Sequence, residues 1–133
     1  MARDPLAALA RLRRLQTGLA QHRLAEQSTR LAAAEHRSAT AAAALRAEQA
    51  AGPPADYAAW LTRGMAERDR AARGLGLAET RTAEARTVLT LARTAERALE
   101  DLRAQRAAAA ARQGARRAER MLDDLVGGRQ TRP

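Results

Sequence analysis

A seven-residue repeat runs without a break through residues 57–102, which read YAAWLTRGMAERDRAARGLGLAETRTAEARTVLTLARTAERALEDL. Steps of three and four residues alternate along this stretch, so the repeated positions fall on one side of a helix and predict a seam against a partner helix. Ala and Gly fill most of one register, and the two backbones must therefore approach closely. The first register contains Leu61, Arg68, Leu75, Thr82, Leu89 and Glu96, and the second contains Tyr57, Gly64, Ala71, Ala78, Ala85, Ala92 and Leu99.

The composition of the 133-residue chain favours thin helical packing over a thick globular core. The chain holds one Trp, one Tyr, no Phe and no Cys, and its apolar content is mainly Ala and Leu. A wide, dry interior normally depends on bulky side chains. Ala, Leu, Arg, Glu and Gln dominate here, and because they are the strongest helix formers, the sequence predicts helices rather than disorder.

Helix-starting and helix-breaking residues divide the chain into two long helices. Asp4 and Pro5 indicate a helix start, because the carboxylate accepts hydrogen bonds from the first free amides and Pro suits the first helical position. Gly52, Pro53 and Pro54 interrupt the helical pattern. The predicted single domain, 1–133, comprises helix 1 over 4–51, a turn over 52–55, helix 2 over 56–126, which Gly127 and Gly128 end, and a frayed tail over 127–133.

A short turn between two long helices makes them antiparallel neighbours. The predicted fold class is therefore all-α, an antiparallel two-helix coiled-coil hairpin with a longer second helix. With the turn centred near residue 53, we expect Leu45 to face Leu61 and Leu31 to face Leu75. The same register places Arg11 to Arg14 beside Glu96, Glu100 and Asp101.

The apolar stripe of helix 1 is expected to drift around the helix axis. A dense group of leucines near the N-terminus precedes a second group spaced at multiples of seven, and the step from Leu19 to Leu24 breaks the phase between them. The first group is Leu6, Leu9, Leu12, Leu15 and Leu19, and the second is Leu24, Leu31 and Leu45, with Ser38 between the last two.

Positive charge is concentrated at the end of helix 2. All 24 basic residues are Arg, the net charge is +9, and residues 103–132 hold eight Arg against three acids. Such a balance favours anionic partners. Arg112, Arg116 and Arg120 recur at four-residue spacing, which opposes isolated helix formation by a few tenths of a kcal/mol per pair. Either a solvated face or a contact for an acidic protein surface explains them; nucleic acid is disfavoured because aromatic residues do not alternate with the basic ones.

Two further features suggest contact with another molecule. Tyr57 and Trp60 are the only aromatic residues, and they serve either as structural anchors of the hairpin or as docking residues. Leu122 and Leu125 lie beyond the expected reach of helix 1. The predicted partner-binding residues are Tyr57, Trp60, Leu61, Arg112, Arg116, Arg117, Arg120, Leu122 and Leu125.

Catalytic chemistry has no recognisable residue cluster in this sequence. His22 and His36 have no acidic or Cys cluster fixed around them, and the lack of Lys excludes a Walker-type phosphate loop. Asp123 and Asp124 are adjacent and diverge around the helix. We expect no catalytic residue, cofactor or metal site, and therefore no enzymatic activity.

The sequence has no segment that predicts membrane insertion or secretion. No apolar run exceeds five residues, as in Ala107 to Ala111, and such runs are too short to span a bilayer. Arginines interrupt the N-terminal region, so no signal peptide is predicted. A cytoplasmic location is the expectation.

Three segments resemble the FliJ family of flagellar export proteins and its injectisome counterpart, YscO. They are the basic N-terminal PLAALARLRRLQ (5–16), the aromatic-led DYAAWLTRGM (56–65) after the breaker, and the closing ARRAERMLDDL (115–125). The resemblance covers nearly the whole chain in length and order of elements. It implies an antiparallel coiled coil similar to the stalk of a rotary ATPase.

The resemblance also implies partners. These are the hexameric flagellar export ATPase, the cytoplasmic domain of the export gate, through which the protein would associate peripherally with the membrane, and the export chaperones. In the family, apolar residues just after the loop contact the gate; Trp60 matches one such position, whereas Gly64 and Glu67 replace apolar residues at later ones. From charge, we expect the ATPase ring to contact Arg112, Arg116 and Arg120.

Two other function classes compete with an export stalk. The first is a coiled-coil scaffold or oligomerisation module with no export role. The second is an Arg-rich helical protein that binds nucleic acid or a membrane surface, for which steep salt dependence is the distinguishing property.

Overall fold

The computed structural model consists of two α-helices, α1 over Pro5–Ala51 and α2 over Tyr57–Gln130. The structure describes residues 4–51 and 57–130, and within those ranges it contains no strand. Leu45 of α1 packs at Gly64 of α2, and Gln27 packs at Thr82. The residue number on α1 decreases as that of its facing residue on α2 increases, so the two helices are antiparallel. The prediction of an all-α antiparallel two-helix hairpin with a longer second helix is confirmed. The predicted turn over 52–55 lies outside the described residues.

The two helix ends that the sequence marked behave differently. At the start of α1, Leu6 N donates to Asp4 Oδ1 at 3.0 Å, so Asp4 caps the helix as predicted. At the other end, the prediction that Gly127 and Gly128 stop α2 is wrong, because the helix continues to Gln130. Neither glycine has the positive φ that ends helices at such positions, so each only weakens the helix locally.

Contacts divide the chain into two units. The loop unit is Leu15–Arg93, and the terminal unit combines Met1–Arg14 with Thr94–Pro133. Each unit contains part of α1 and part of α2, so each has its own stretch of helix pairing.

The α2 seam of the loop unit follows the seven-residue repeat. Thr82, Ala85 and Leu89 are buried, and all the other predicted seam positions of this unit except Arg68 are half-buried. The Arg68 guanidinium instead lies 3.0 Å from the carboxylate of its neighbour Asp69, on the exposed side. Gly and Ala at four of the half-buried positions keep the two backbones close. The half-buried positions are Tyr57, Leu61, Gly64, Ala71, Leu75, Ala78 and Ala92.

The α1 seam corrects the expected drift of the apolar stripe. Leu15 and Leu19 are 66% and 69% exposed, and Leu9 and Leu12 are also exposed. Their place in the seam is taken by smaller residues, because the phase set by Leu24 continues toward the N-terminus without a break. The seam positions of α1 are Leu6, Ala10, Arg13, Thr17, Ala20, Leu24, Gln27, Leu31, Ala34, Ser38, Ala41 and Leu45.

The register between the helices differs from the predicted one by three residues. Leu45 Cδ1 lies 3.1 Å from where a Cβ would stand on Gly64, whereas the sequence predicted Leu61 as its facing residue. Thr82 Oγ1 reaches Gln27 O at 3.3 Å, which gives the same offset and moves Leu31 away from the predicted Leu75. The error arose from the assumed turn centre, since α1 runs to Ala51 and α2 begins at Tyr57.

The terminal unit contains the last stretch of the seam. Leu99 is buried, Glu96 and Arg103 are half-buried on α2, and Arg13 is half-buried on α1. Arg11 to Arg14 were predicted to lie beside Glu96, Glu100 and Asp101. Of these residues, only Arg13 and Glu96 are half-buried in the seam. Every residue from 104 to 130 is exposed. We call this stretch of 27 residues the arm; it spans about 40 Å at about 1.5 Å per residue.

Two threonines in the seam of the loop unit differ in hydrogen bonding. Thr82 is 1% exposed, and its hydroxyl donates to Ala78 O at 2.8 Å while also facing Gln27 O across the seam. Thr17 is 7% exposed, and its Oγ1 has no hydrogen-bond partner within the described part of the chain. One of these two threonine hydroxyls is therefore hydrogen-bonded and the other is not.

Glycine substitutions test how closely the helices approach. We expect Gly74→Ala to raise the free energy of unfolding by about 1 kcal/mol, because nothing lies within 4 Å of the added Cβ. Gly64→Ala should raise it less, since its Cβ would press on Leu45 at 3.1 Å. Urea unfolding followed by circular dichroism measures both changes. Equal gains would contradict the packing of Leu45 at Gly64.

Threonine substitutions test the two hydroxyls. Thr17→Val should raise the free energy of unfolding by about 1 kcal/mol, because it removes a buried hydroxyl that lacks a partner. Thr82→Val should lower it by about 1 kcal/mol, because it removes a hydrogen bond to Ala78 O. The two substitutions have similar helix propensity, so their opposite signs in urea unfolding isolate the hydrogen bond. The same sign for both would refute this assignment.

Candidate partner-binding surfaces

The aromatic pair lies in the first turn of α2. The ring centroids of Tyr57 and Trp60 are 5.8 Å apart with an interplanar angle of 25°, so the rings stack. Both residues are half-buried, and the indole also lies within 3.9 Å of the position that a Cβ would take on Gly64. Leu61, predicted to bind a partner, is half-buried in the seam. The aromatic pair therefore combines support from the hairpin with a surface open to solvent.

The arginines predicted for partner binding all lie on the arm. Arg112, Arg116, Arg117 and Arg120 are exposed there. At about 100° per residue, four-residue steps place Arg112, Arg116 and Arg120 along one side of α2, while Arg117 lies toward another edge. The ion pairs His22–Glu26, Arg68–Asp69 and Arg70–Glu67 involve other residues, and each joins exposed side chains of one helix. The arm thus presents positive charge to solvent over several turns.

Apolar side chains cluster near the C-terminal end of the arm. Leu122 and Leu125 are 62% and 66% exposed, which agrees with the prediction that α1 does not cover them. Met121, beside them on the helix, is 67% exposed as well. Val126 is exposed as well, and sequence reasoning missed it. Its position one residue after Leu125, beyond the seam, was the available signal.

A second apolar surface in the loop unit was also missed. Leu19 and Val88 line one shallow groove between α1 and α2, with Arg23 at its edge. Leu15 and Leu91 are exposed on the flanks of the same helices. The drifting apolar stripe predicted for helix 1 includes Leu15 and Leu19, so the sequence did not mark them as an exposed surface.

A polar groove of the loop unit lies beside the apolar one. Arg23, Arg30 and Arg81 line it together with Glu84. Three guanidinium groups around one carboxylate give a basic surface, and sequence reasoning missed it because the residues come from both helices. The groove is shallow and open, so it suits surface contact rather than enclosure of a small molecule.

The described residues offer no cluster for metal binding. Within 4–51 and 57–130, no group of three or more His, Cys, Asp or Glu side chains is placed to hold a metal ion. His22 Nε2 lies 3.4 Å from Glu26 on an exposed helix face. Neither α1 nor α2, over its described length, has a stretch sufficiently long and apolar to traverse a lipid bilayer.

Compared with protein-family models, with curated proteins and with solved structures, the chain gives no match. The similarity to the FliJ family therefore stays a prediction from the sequence segments themselves.

The sole tryptophan allows a direct test of the aromatic pair. We expect Trp60→Ala to lower the free energy of unfolding by about 1 kcal/mol, the contribution of a stacked aromatic pair, rather than the roughly 3–5 kcal/mol lost from a buried core. Trp60→Phe, which retains a ring beside Tyr57, serves as the control and should lose less. Urea unfolding followed by circular dichroism gives both values. A decrease in the free energy of unfolding of roughly 3–5 kcal/mol would make Trp60 a structural anchor rather than a docking residue.

Proposed function

We propose that this protein is a non-enzymatic stalk and adaptor of the flagellar type III protein export apparatus. The observation that carries the proposal is the arm: α2 continues for 27 exposed residues beyond its last half-buried position at Arg103. The arm is basic, and it extends a two-helix hairpin of the kind that the FliJ resemblance implies. In this role, the arm binds the hexameric export ATPase, and the protein escorts export chaperones.

The chemistry of the arm suits a ring of subunits. Exposed arginines attract acidic surfaces over several ångströms, and this attraction steers docking without requiring one fixed pose. Arg112 and Arg117 point to different sides of the same helix, so neighbouring subunits meet different faces. A stalk of this kind couples ATP hydrolysis in the ring, carried out by another protein, to opening of the gate.

The aromatic pair supplies the proposed contact with the cytoplasmic domain of the export gate. Trp60 is half-buried and stacked on Tyr57, which holds the indole in place with part of its surface exposed. The later family positions depart from the pattern: Gly64 lies in the seam, and Glu67 pairs with Arg70 at 3.0 Å. The gate contact is therefore confined to the first turn of α2. Through the gate, the protein would reside in the cytoplasm at the membrane periphery.

A scaffold or oligomerisation module is the second candidate function. The observation that favours it is the exposed apolar surface of Leu15, Leu19, Val88 and Leu91 in the loop unit. Contiguous exposed apolar side chains often mark a protein interface. This reading requires self-association or a helical partner but no contact with an export ATPase.

Nucleic-acid or membrane-surface binding has less support. The arm is basic, but Glu119, Asp123 and Asp124 lie among its arginines and would face phosphate groups. No aromatic side chain lies on the arm to stack on bases. We therefore expect no nucleic-acid partner.

Charge reversal on the arm tests the stalk function. The triple variant Arg112→Glu, Arg116→Glu and Arg120→Glu should weaken binding to purified flagellar export ATPase by about tenfold or more. Three surface ion pairs at about 0.5 kcal/mol each give that factor, and repulsion adds to it. Surface plasmon resonance measures the affinity, and the ATPase rate reports the functional consequence.

The matched control reverses three exposed arginines of α2 outside the arm, Arg73, Arg86 and Arg93, so that the net charge changes equally. This control should retain wild-type affinity for the ATPase. Failure of the wild-type protein to bind the ATPase or to change its rate would overturn the stalk function. Equal losses in both triple variants would remove the arm from the contact.

A further inference from the structure

An uncovered apolar face runs along the arm. Helical spacing places Ala107, Ala111, Ala118, Met121, Leu122 and Leu125 within one side of α2, and each of them is exposed. Arg112, Arg116 and Arg120 lie on the other side. We call the apolar side the arm face. An amphipathic helix of this length normally buries its apolar side against something.

The arm face continues an interface that already exists in the terminal unit. There, Glu96, Leu99 and Arg103 of α2 lie in the seam with α1. The start of α1 reaches the first turn of the arm, since Asp4 and Leu6 line a groove together with Arg103 and Ala107. Beyond this point α1 supplies no further residue, and the apolar positions carry on along α2.

A change of spacing marks the junction between the seam and the arm face. A strict seven-residue repeat beyond Arg103 would place Arg106, Gln113 and Arg117 in the seam. Instead, two successive four-residue steps, from Arg103 to Ala107 and from Ala107 to Ala111, turn the apolar stripe partly around α2. Such steps are known in coiled coils, where they locally unwind the supercoil and keep the stripe in contact with a helix.

The side chains of the arm face fit a helix better than a lipid surface. Three of the six are Ala, which gains little from transfer to lipid, because the gain is about 0.8 kcal/mol per buried methylene. Ala instead allows two helix backbones to approach closely. Ala10, Ala20, Ala34 and Ala85 do this in the protein's own seams, where all four are at most 6% exposed. The occupant is therefore expected to be a helix.

The charge of the arm decides which helix. Residues 104–130 hold six Arg against Glu119, Asp123 and Asp124, so the arm as a whole is positive, and Arg106 and Arg117 lie at one edge of the arm face. A second copy packed antiparallel through its own arm face would bring Arg117 of each chain close to Arg117 of the other, and would place two positive arms side by side. Like charges across an interface oppose association by several kcal/mol. An acidic helix from a different protein satisfies both the apolar stripe and the charge.

We propose that the arm face binds an acidic amphipathic helix of a partner protein, which continues the coiled coil of α2 beyond the first residues of α1. The partner presents Leu and Ala along its seam and Glu or Asp on the flanks. The identity of this partner as an export component rests on the function proposed above. The recognition chemistry of the arm face is separate from that identity and is tested on its own.

A synthetic peptide serves as the probe for this recognition. It contains about four heptads, the length of the arm, with Leu and Ala at the seam positions and Glu at the flanks. A second peptide has the same seam with Lys in place of Glu. Fluorescence anisotropy with the full-length protein should show binding of the Glu peptide and at least about tenfold weaker binding of the Lys peptide, because the arm carries net positive charge.

Two alanines of the arm provide a matched pair of variants. Ala111 lies on the arm face, whereas Ala109 lies on the opposite side of the same helix, and both are exposed. We expect Ala111→Gln to weaken binding of the Glu peptide by about tenfold, because the longer side chain prevents close approach. Ala109→Gln should leave binding unchanged. Circular dichroism of both variants checks that helix content is retained.

Three results would overturn the proposal. The first is equal binding of the Glu peptide to the Ala111→Gln and Ala109→Gln variants. The second is binding of the Glu and Lys peptides with equal affinity. The third is binding to phosphatidylserine vesicles, or self-association in analytical ultracentrifugation, that Ala111→Gln abolishes while the Glu peptide does not bind. Peptide binding without export ATPase binding would keep the arm face and remove the export function. ATPase binding by a protein that does not bind the Glu peptide would do the reverse.

Discussion

Close approach of two helix backbones is the constraint on which this structure depends. Within the described ranges, four of the seven buried apolar residues are alanines and three are leucines, so much of the seam contributes little transfer free energy per residue. Stability must come from many short contacts along a long seam rather than from a few large side chains. This explains why a chain with one Trp and no Phe can form an ordered pair of helices.

The seven-residue repeat of α2 could be predicted because it is unbroken and because Ala and Gly occupy it so regularly. The seam of α1 could not, since its largest apolar side chains lie outside it. Leu15 and Leu19 are large and apolar but exposed, whereas the smaller Thr17 and Ala20 are buried in the seam. In a seam this narrow, side-chain volume is a poor guide to burial, and only the phase of the repeat is reliable.

The register between the two helices could not be predicted from the sequence either. It depends on where the connection is centred and on a local fit, the packing of Leu45 at Gly64, which periodicity does not encode. Charge and exposure were easier to foresee. The arginines of the arm and Leu122 lie beyond the last half-buried residue of α2, as the unequal lengths of the two helices required. The candidate surfaces that sequence reasoning missed are those assembled from both helices.

The arm and the paired part of α2 differ in their resistance to local unfolding, although they form one continuous helix. Where α1 covers α2, backbone amide protons exchange with solvent only when the paired helices separate. On the arm, no second layer shields them, and exchange requires only a local excursion of a turn or two from helix to coil. Hydrogen–deuterium exchange would therefore divide this helix near Arg103, although its backbone geometry runs through that residue without interruption.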